Sequence, residues 1–155
     1  MTQGPAAGPA TRSDLLAGLD GEVAVMVRRI RRVIGQHARE VHPELQTASY
    51  LLLAWLANNG PQRGSVVAEQ LGIDKGAISR QAQHLEELGL LDRSADPDDG
   101  RAMLLAASGS AVARLAGMRE ERRKHLDQRL GDWSEADLAS FVNLLGRYNL
   151  ALETS

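Results

Sequence analysis

Apolar residues recur at spacings of three and four through the first quarter of the chain. The stripe starts at Leu15 and predicts one long amphipathic helix, which we expect to end before Pro43 because proline disfavours helix in the residue that precedes it. A nearly continuous apolar run then predicts a second helix over residues 45–59, buried on most sides. Residues 1–12 contain repeated Pro and Gly with little apolar content and are predicted to be a disordered tail.

Two short helices are predicted next, separated by a very tight turn. The first covers residues 65–71, with Ser65 as its expected N-cap, and it ends at Gly72. The second begins at an Asp74 N-cap and extends to residue 88. Two short helices joined in this way are typical of a helix-turn-helix.

The pattern changes after Gly89, where two strand-like runs, LLDRS and RAMLLAA, flank the turn sequence ADPDDG. This arrangement predicts a β-hairpin. Two more helices follow. Ser108 is expected to cap the first, and Ser134 with Asp137 to form a capping box at the start of the second. The predicted fold is therefore mainly α with a small β-hairpin, an α+β class.

Composition excludes several classes of function. The chain has 155 residues, 43% of them apolar, and no cysteine, so disulfides, thiolate zinc sites and thiol-based sensing are excluded. No apolar run is long enough to cross a bilayer and no secretory signal is evident, so a cytoplasmic protein without a membrane partner is expected. We find no nucleophile motif, acid pair or Gly-rich phosphate loop, and expect neither an enzyme nor a cofactor. The histidines lack metal-ligand spacing on any one element, which predicts no metal site; they are His37, His42, His84 and His125.

Charge argues against nucleic-acid binding unless the cations gather on one face. The whole chain carries a net charge of −2, and residues 62–101 hold five Arg or Lys against eight Asp or Glu, a net charge of −3. The predicted helix over residues 74–88 does segregate its charge, because Glu86 and Glu87 fall in the last turn. An isolated helix with this pattern has a second interpretation, a merely solvated face. The outward positions are Lys75, Gly76, Ala77, Ser79, Arg80, Gln81, Gln83 and His84.

The sequence from residue 65 to residue 108 resembles the winged helix-turn-helix of the MarR (multiple antibiotic resistance regulator) family. The segments that carry the resemblance are AEQLGI, HLEELGLLDR and DPDDGR, and the match extends over roughly residues 14–152. The resemblance implies a homodimer built by long helices on both sides of the winged domain. It divides the chain into a tail (1–12), an N-terminal dimerisation helix (13–44), a DNA-binding domain (45–107) and C-terminal dimerisation helices (108–155).

The resemblance also implies roles for individual residues. Arg80 matches the family's arginine in the recognition helix, a candidate for guanine contact in the major groove. Asp99 and Arg101 match the Asp-x-Arg of the wing, in which the acid orients an arginine that enters the minor groove. A hairpin-stabilising salt bridge is the alternative for that pair. Ser65 and Arg93 are expected at phosphates. The other groove-facing positions are Lys75, Gly76, Ala77, Ser79 and His84.

Two departures from the family pattern are evident. Members often carry Pro or Ser where this chain has Gly76 and Ala77, which leaves fewer side-chain contacts to bases. The usual Leu-Thr at the end of the wing strand is Ala107-Ser108 here, so the hydroxyl cap remains and some packing is lost.

The function implied is that of a homodimeric repressor on a pseudo-palindromic operator in double-stranded DNA. Family members often release DNA when a small aromatic or phenolic ligand binds between the dimerisation helices and the winged domain. Arg32, His42 and Trp55 are candidate linings, although a tryptophan in such a position is more often a plain core residue. The alternative is a winged-helix module that binds protein and not DNA, an interpretation that the acidic balance favours.

Overall fold

The structure is a computed structural model that describes residues 10–153. Six helices and three short strands lie within these residues, and their order confirms the predicted fold class. The elements are α1 (Arg12–Val41), α2 (Thr47–Asn59), β1 (Gln62–Arg63), α3 (Gly64–Leu71), α4 (Lys75–Glu87), β2 (Leu91–Asp96), β3 (Asp99–Ala107), α5 (Gly109–Arg129) and α6 (Glu135–Glu153).

The chain forms two compact units. One ends at Leu115 and the other begins at Ala116, so α5 contributes to both. The first unit holds the two predicted helix-turn-helix helices and the hairpin. No helix among residues 10–153 is both long enough and apolar enough to span a bilayer.

The long first helix begins earlier than its apolar stripe. Thr11 is the N-cap: its side chain accepts from the Asp14 N–H, and the Asp14 carboxylate accepts from the Thr11 N–H at 2.9 Å, which completes a capping box. The predicted tail of residues 1–12 therefore extends too far, because Thr11 caps the helix and Arg12 is its first residue. Residues 1–9 of that predicted tail lie outside the described part of the chain. The helix ends at Val41, before Pro43, as predicted.

The core of the first unit is centred on α2. Leu52 and Leu53 are 0% exposed and Leu56 is 1% exposed, as the continuous apolar run predicts. The helix packs against α1, α4 and β3. The buried side chains on these three elements include Val41, Ile78, Leu85 and Leu105.

The tight turn depends on Gly72. Its φ of 63° lies in the left-handed region, and its N–H bonds back to α3, so the first helix stops and the second starts at once. Asp74 caps α4 as predicted, accepting from the Ala77 N–H at 3.0 Å. Ser65 does not cap α3. That helix begins one residue before it, with Arg63 at the cap position and no side-chain capping bond.

The hairpin belongs to a three-stranded antiparallel sheet of order β1-β3-β2. Sequence reasoning missed β1, in which Arg63 pairs with Leu104. A bulge at Ala95/Asp96 interrupts the β2–β3 register just before the tip. Ser108 follows β3 and caps α5 as predicted, accepting from the Ala111 N–H at 3.3 Å.

The second unit contains the rest of α5 and α6. The predicted capping box is present: the Asp137 carboxylate accepts from the Ser134 N–H at 2.9 Å, and the Ser134 hydroxyl accepts from the Asp137 N–H at 3.2 Å. None of the residues of α6 is buried. Trp133 stacks edge-on against Phe141, with ring centroids 5.7 Å apart.

Candidate nucleic-acid interface

The outward face of α4 carries cations that are free of acidic partners. Lys75 and Arg80 are exposed, and neither makes an ion pair or a side-chain hydrogen bond within residues 10–153. Ser79 lies exposed between them, while Ile78, Ala82 and Leu85 form the buried opposite face. Lys75 and Arg80 can therefore meet an external anion without first breaking a bond.

The acidic side chains at the end of α4 already have partners within the chain. Glu86 accepts from Arg93 Nε at 2.8 Å, and Glu87 accepts from the Gln83 amide at 3.1 Å. Because Arg93 belongs to β2, its ion pair joins the hairpin to the last turn of α4. The exposed N-terminal half of the helix thus keeps its positive character, as the charge pattern predicts.

Because Gly76 has no side chain, it leaves room for the Asp74 carboxylate and the Arg80 guanidinium at the start of α4. A Cβ at this position would come within 2.9 Å of an Asp74 carboxylate oxygen and 3.4 Å of Arg80 Nη1. The Arg80 guanidinium therefore folds back over the first turn of the helix. A side chain at position 76 would push on the N-cap carboxylate and on the arginine together, whereas Ala77 beside it is half-buried.

His84 faces the connection between α1 and α2. Its Nε2 lies 3.2 Å from the main-chain oxygen of Glu44, and in the same turn His42 Nδ1 accepts from the Glu44 N–H at 3.2 Å. A cavity of ≈ 360 Å³ lies beside it, lined by residues at the start of α2 and by Arg80 and Gln81. The buried Oε1 atom of Gln81 has no hydrogen-bond partner in the described chain.

The wing presents its arginine differently from the sequence expectation. Asp99 accepts from the Arg101 backbone N–H at 3.2 Å, and between residues 10 and 153 no ion pair joins the two side chains. The nearest cation to the Asp99 carboxylate is Arg63, with Nη1 4.0 Å from Oδ2. The guanidinium of Arg101 is exposed and unpaired within the same range.

Arg63 is a contributor that sequence reasoning missed. Its Nε donates to Asp96 Oδ2, and this bond holds the pKa of the Asp96 carboxyl below its usual value and raises the pKa of the guanidinium. The partners are 33 positions apart. The sequence contains one local sign of this pair, an acid directly before the proline of the turn, but nothing that identifies its partner.

The remaining predicted site residues are Ser65, Arg32, His42 and Trp55. Ser65 is exposed in the first turn of α3. Arg32 is exposed, while His42 and Trp55 are half-buried. None of these last three lines the cavities of ≈ 600, ≈ 540 and ≈ 360 Å³ that we describe. Within residues 10–153 no three His, Asp or Glu side chains are grouped so as to hold a metal ion.

A short helix, a glycine turn, a second helix with free cations on its outward face and an adjoining hairpin are the parts of a winged helix-turn-helix DNA-binding domain. Comparison with known proteins agrees. The family model described as MarR family matches residues 44–102. An uncharacterized HTH-type transcriptional regulator of Bacillus subtilis (strain 168), YxaD, is 36% identical over 107 residues, which cover 69% of this chain and 75% of that protein.

Solved structures share the fold. The MarR family transcription regulator SP03579 matches with a TM-score of 0.75 at 16% identity, over 92% of this chain and 95% of that one. A Listeria monocytogenes protein assigned to the MarR family, solved as a complex with 26mer DNA, matches with a TM-score of 0.67 at 17% identity, over 84% of this chain and 86% of that one. This chain belongs to the MarR family and is a transcriptional regulator with a DNA-binding fold.

Proposed function

We propose that this chain is a homodimeric repressor that binds a pseudo-palindromic DNA operator and is released from it by a small aromatic or phenolic ligand. The observation that carries the DNA-binding part is the separation of charge on α4. Lys75 and Arg80 are exposed and unpaired in the described chain, while Glu86 and Glu87 have partners at the other end of the helix. An acidic domain can bind DNA when its free cations lie on one face.

In this proposal α4 enters the major groove with its N-terminal half. Arg80 reads guanine through its O6 and N7 acceptors. Lys75 and Ser79 contact neighbouring bases or phosphates, and the small Gly76 and Ala77 let the helix backbone approach the DNA closely. His84 lies near the edge of this face, with its ring already bonded to Glu44.

The wing contacts the minor groove. Arg101 is exposed at the start of β3, and a guanidinium is attracted to the negative potential of a narrow A·T tract. Asp99 orders the local backbone by accepting from the Arg101 N–H. Ser65, which is exposed, and Arg93, which would share its guanidinium with Glu86, complete the proposed DNA surface as phosphate contacts.

The apolar faces of the terminal helices support a homodimer. On α1, Leu15 is 63% exposed and Ile30 is 46% exposed; on α6, Val142 is 68% exposed and Phe141 is 49% exposed. Helices with so much exposed apolar surface gain most of their stability by packing. We propose that a second copy of this chain covers them, with residues 13–44 and 108–155 as the dimerisation segments around a DNA-binding domain of residues 45–107.

Dimerisation is tested by light scattering on the purified chain. We expect a dimer mass for the wild type and a shift towards the monomer for Val142→Asp, with Asn143→Asp on the same helix as the matched control. A monomeric wild type at micromolar concentration would contradict the homodimer. DNA half-sites centred about one helical turn apart are expected for such a dimer.

Arg32, His42 and Trp55 are the proposed ligand contacts for release from DNA. Arg32 offers a cation, His42 a ring nitrogen and Trp55 an aromatic face, which together suit an aromatic anion. Fluorescence of the two tryptophans during titration with salicylate as probe would report binding, and Trp55→Phe separates the two signals. No change in DNA affinity on adding the probe would contradict release by this compound.

DNA binding itself is tested by a salt titration. We expect the observed association constant for a duplex from beside the chain's own gene to fall steeply with salt, because phosphate contacts release counterions. The alternative, a winged-helix module that binds protein, is favoured by the net charge of −3 in residues 62–101. Weak DNA binding that does not depend on salt would favour that alternative.

A further inference from the structure

Arg63 links the helix-turn-helix to the tip of the wing. It is the last residue of β1 and the cap position of α3, so its backbone is fixed by a sheet on one side and a helix on the other. Its side chain is 39% exposed and reaches the end of β2, on the far side of β3, where Nε donates to Asp96 Oδ2. The second contact is Nη1 at 4.0 Å from Asp99 Oδ2. One guanidinium thus faces both ends of the wing turn, residues 96–99.

Asp96 is the buried end of this link. The residue is only 6% exposed, and both of its carboxylate oxygens are used: Oδ2 by Arg63 and Oδ1 by the Asp98 N–H at 2.9 Å. Its position at the strand bulge makes it the point where β2 leaves the regular register. A buried carboxylate needs such partners, because without them its desolvation is costly. The Asp96 carboxylate therefore binds both the Arg63 guanidinium and the backbone of the wing turn.

The link also affects which charges surround Arg101. Asp99 is two residues away, and an acid that close would ordinarily be a partner for the arginine side chain. Here its carboxylate accepts from the Arg101 backbone and lies towards Arg63. The guanidinium of Arg101 is left exposed, with no ion pair among the described residues. Arg63 thus binds the carboxylate at one end of the turn and faces the acid at the other end, two residues before Arg101.

We propose that Arg63 is a positioning residue for minor-groove recognition: by holding Asp96 and facing Asp99 it fixes the wing turn so that Arg101 is presented to DNA. The inference rests on the proposed DNA-binding function. It assigns to Arg63 no contact with DNA, only an effect that passes through Arg101. Removing Arg63 should therefore weaken the preference for a narrow A·T flank and leave base choice in the major groove unchanged.

The test compares two duplexes by fluorescence anisotropy. Both contain the same core operator, and the flank beneath the wing is either an A·T tract or G·C pairs. We expect the wild type to prefer the A·T flank by about tenfold. Arg63→Gln should lose most of that preference while keeping its discrimination against a core mismatch. Arg63→Lys, which retains the positive charge beside Asp96, should recover a large part of it.

Two further variants show whether the effect passes through Arg101. Arg101→Ala should abolish the flank preference, and adding Arg63→Gln to it should change the preference no further. Arg12→Ala is the matched control, because it removes an exposed arginine that lies outside both the proposed DNA surface and the proposed dimerisation segments. This control should behave as the wild type.

Thermal melting confirms that each variant is folded. If Arg63→Gln is not folded, Asp96→Asn takes its place and should lose the same preference for the A·T flank.

The outcomes are distinguishable. Full flank preference in folded Arg63→Gln, or equal losses of flank and core discrimination, would overturn the role of Arg63 and leave the proposed DNA binding intact. A further loss of flank preference in the double variant would also overturn it, because Arg63 would then act independently of Arg101. A wild type that binds neither duplex would overturn the proposed function together with this inference.

Discussion

The Nε2 atom of His84 lies 3.2 Å from the main-chain oxygen of Glu44, so the outward side of α4 is bonded to the connection between α1 and α2. A carbonyl oxygen only accepts hydrogen bonds, and the ring must therefore carry its hydrogen on Nε2 to make this one. The two residues are 40 positions apart in sequence. The position of the proposed recognition helix thus depends on the segment that follows the long first helix.

We expect His84→Ala to lower the free energy of unfolding by about 0.5–1.5 kcal/mol, the net value of a typical intramolecular hydrogen bond. Urea denaturation measures this change. His125→Ala is a matched control on an exposed position of α5 and should stay within about 0.5 kcal/mol of the wild type. Unchanged stability in His84→Ala would contradict the bond; an additional loss of DNA affinity would support the proposed contact of His84 with DNA.

Gly72→Ala tests the tight turn between α3 and α4. Its φ of 63° is in the left-handed region, which costs a residue with a Cβ about 1–2 kcal/mol. We expect that loss in the free energy of unfolding, measured by denaturant titration. Gly117→Ala, inside α5 with open space around its Cβ, should instead stabilise the chain by about 0.5–1 kcal/mol. If both substitutions had the same sign, the backbone explanation would be wrong.

The Arg63–Asp96 pair makes stability depend on pH in a defined direction. Arg63 holds the pKa of folded Asp96 below its unfolded value of about 3.9. The stabilisation is therefore fully present above that unfolded value and is lost as pH falls below it, through the folded pKa. We expect the wild type to be more stable than Asp96→Asn at pH 7, with the difference shrinking below about pH 4.

Thermal melting between pH 3 and pH 7 measures this difference. Asp92→Asn, an exposed acid on the same strand, is the control and should follow the wild type across the range. A gap between wild type and Asp96→Asn that does not vary with pH would show that the carboxylate charge makes no contribution.

Features that repeat within one helix could be predicted from the sequence. The spacing of Ile78, Ala82 and Leu85 identifies the buried face of α4, and the resulting outward face is where Lys75 and Arg80 lie. Capping residues such as Asp74 and Ser134 were equally visible, because each bonds to a backbone group three residues away.

The parts that could not be predicted are short or non-local. The strand β1 has only two residues and therefore no periodicity. Ser65 has the side chain of an N-cap, but α3 starts before it because Arg63 already has an extended backbone. The pairing of Arg63 with Asp96 spans 33 positions and follows from the sheet register, which a single sequence does not contain.

The central claim, that α4 and the wing read DNA, is tested most directly by operator binding of Arg80→Ala and Arg101→Ala. Fluorescence anisotropy on a footprinted operator, with every base pair of one half-site substituted in turn, measures affinity and base choice together. We expect Arg80→Ala to lose about 1–3 kcal/mol of binding free energy and its preference at one base pair. Arg101→Ala should weaken binding and the preference for A·T flanks. Wild-type affinity and base choice in both folded variants would contradict the account.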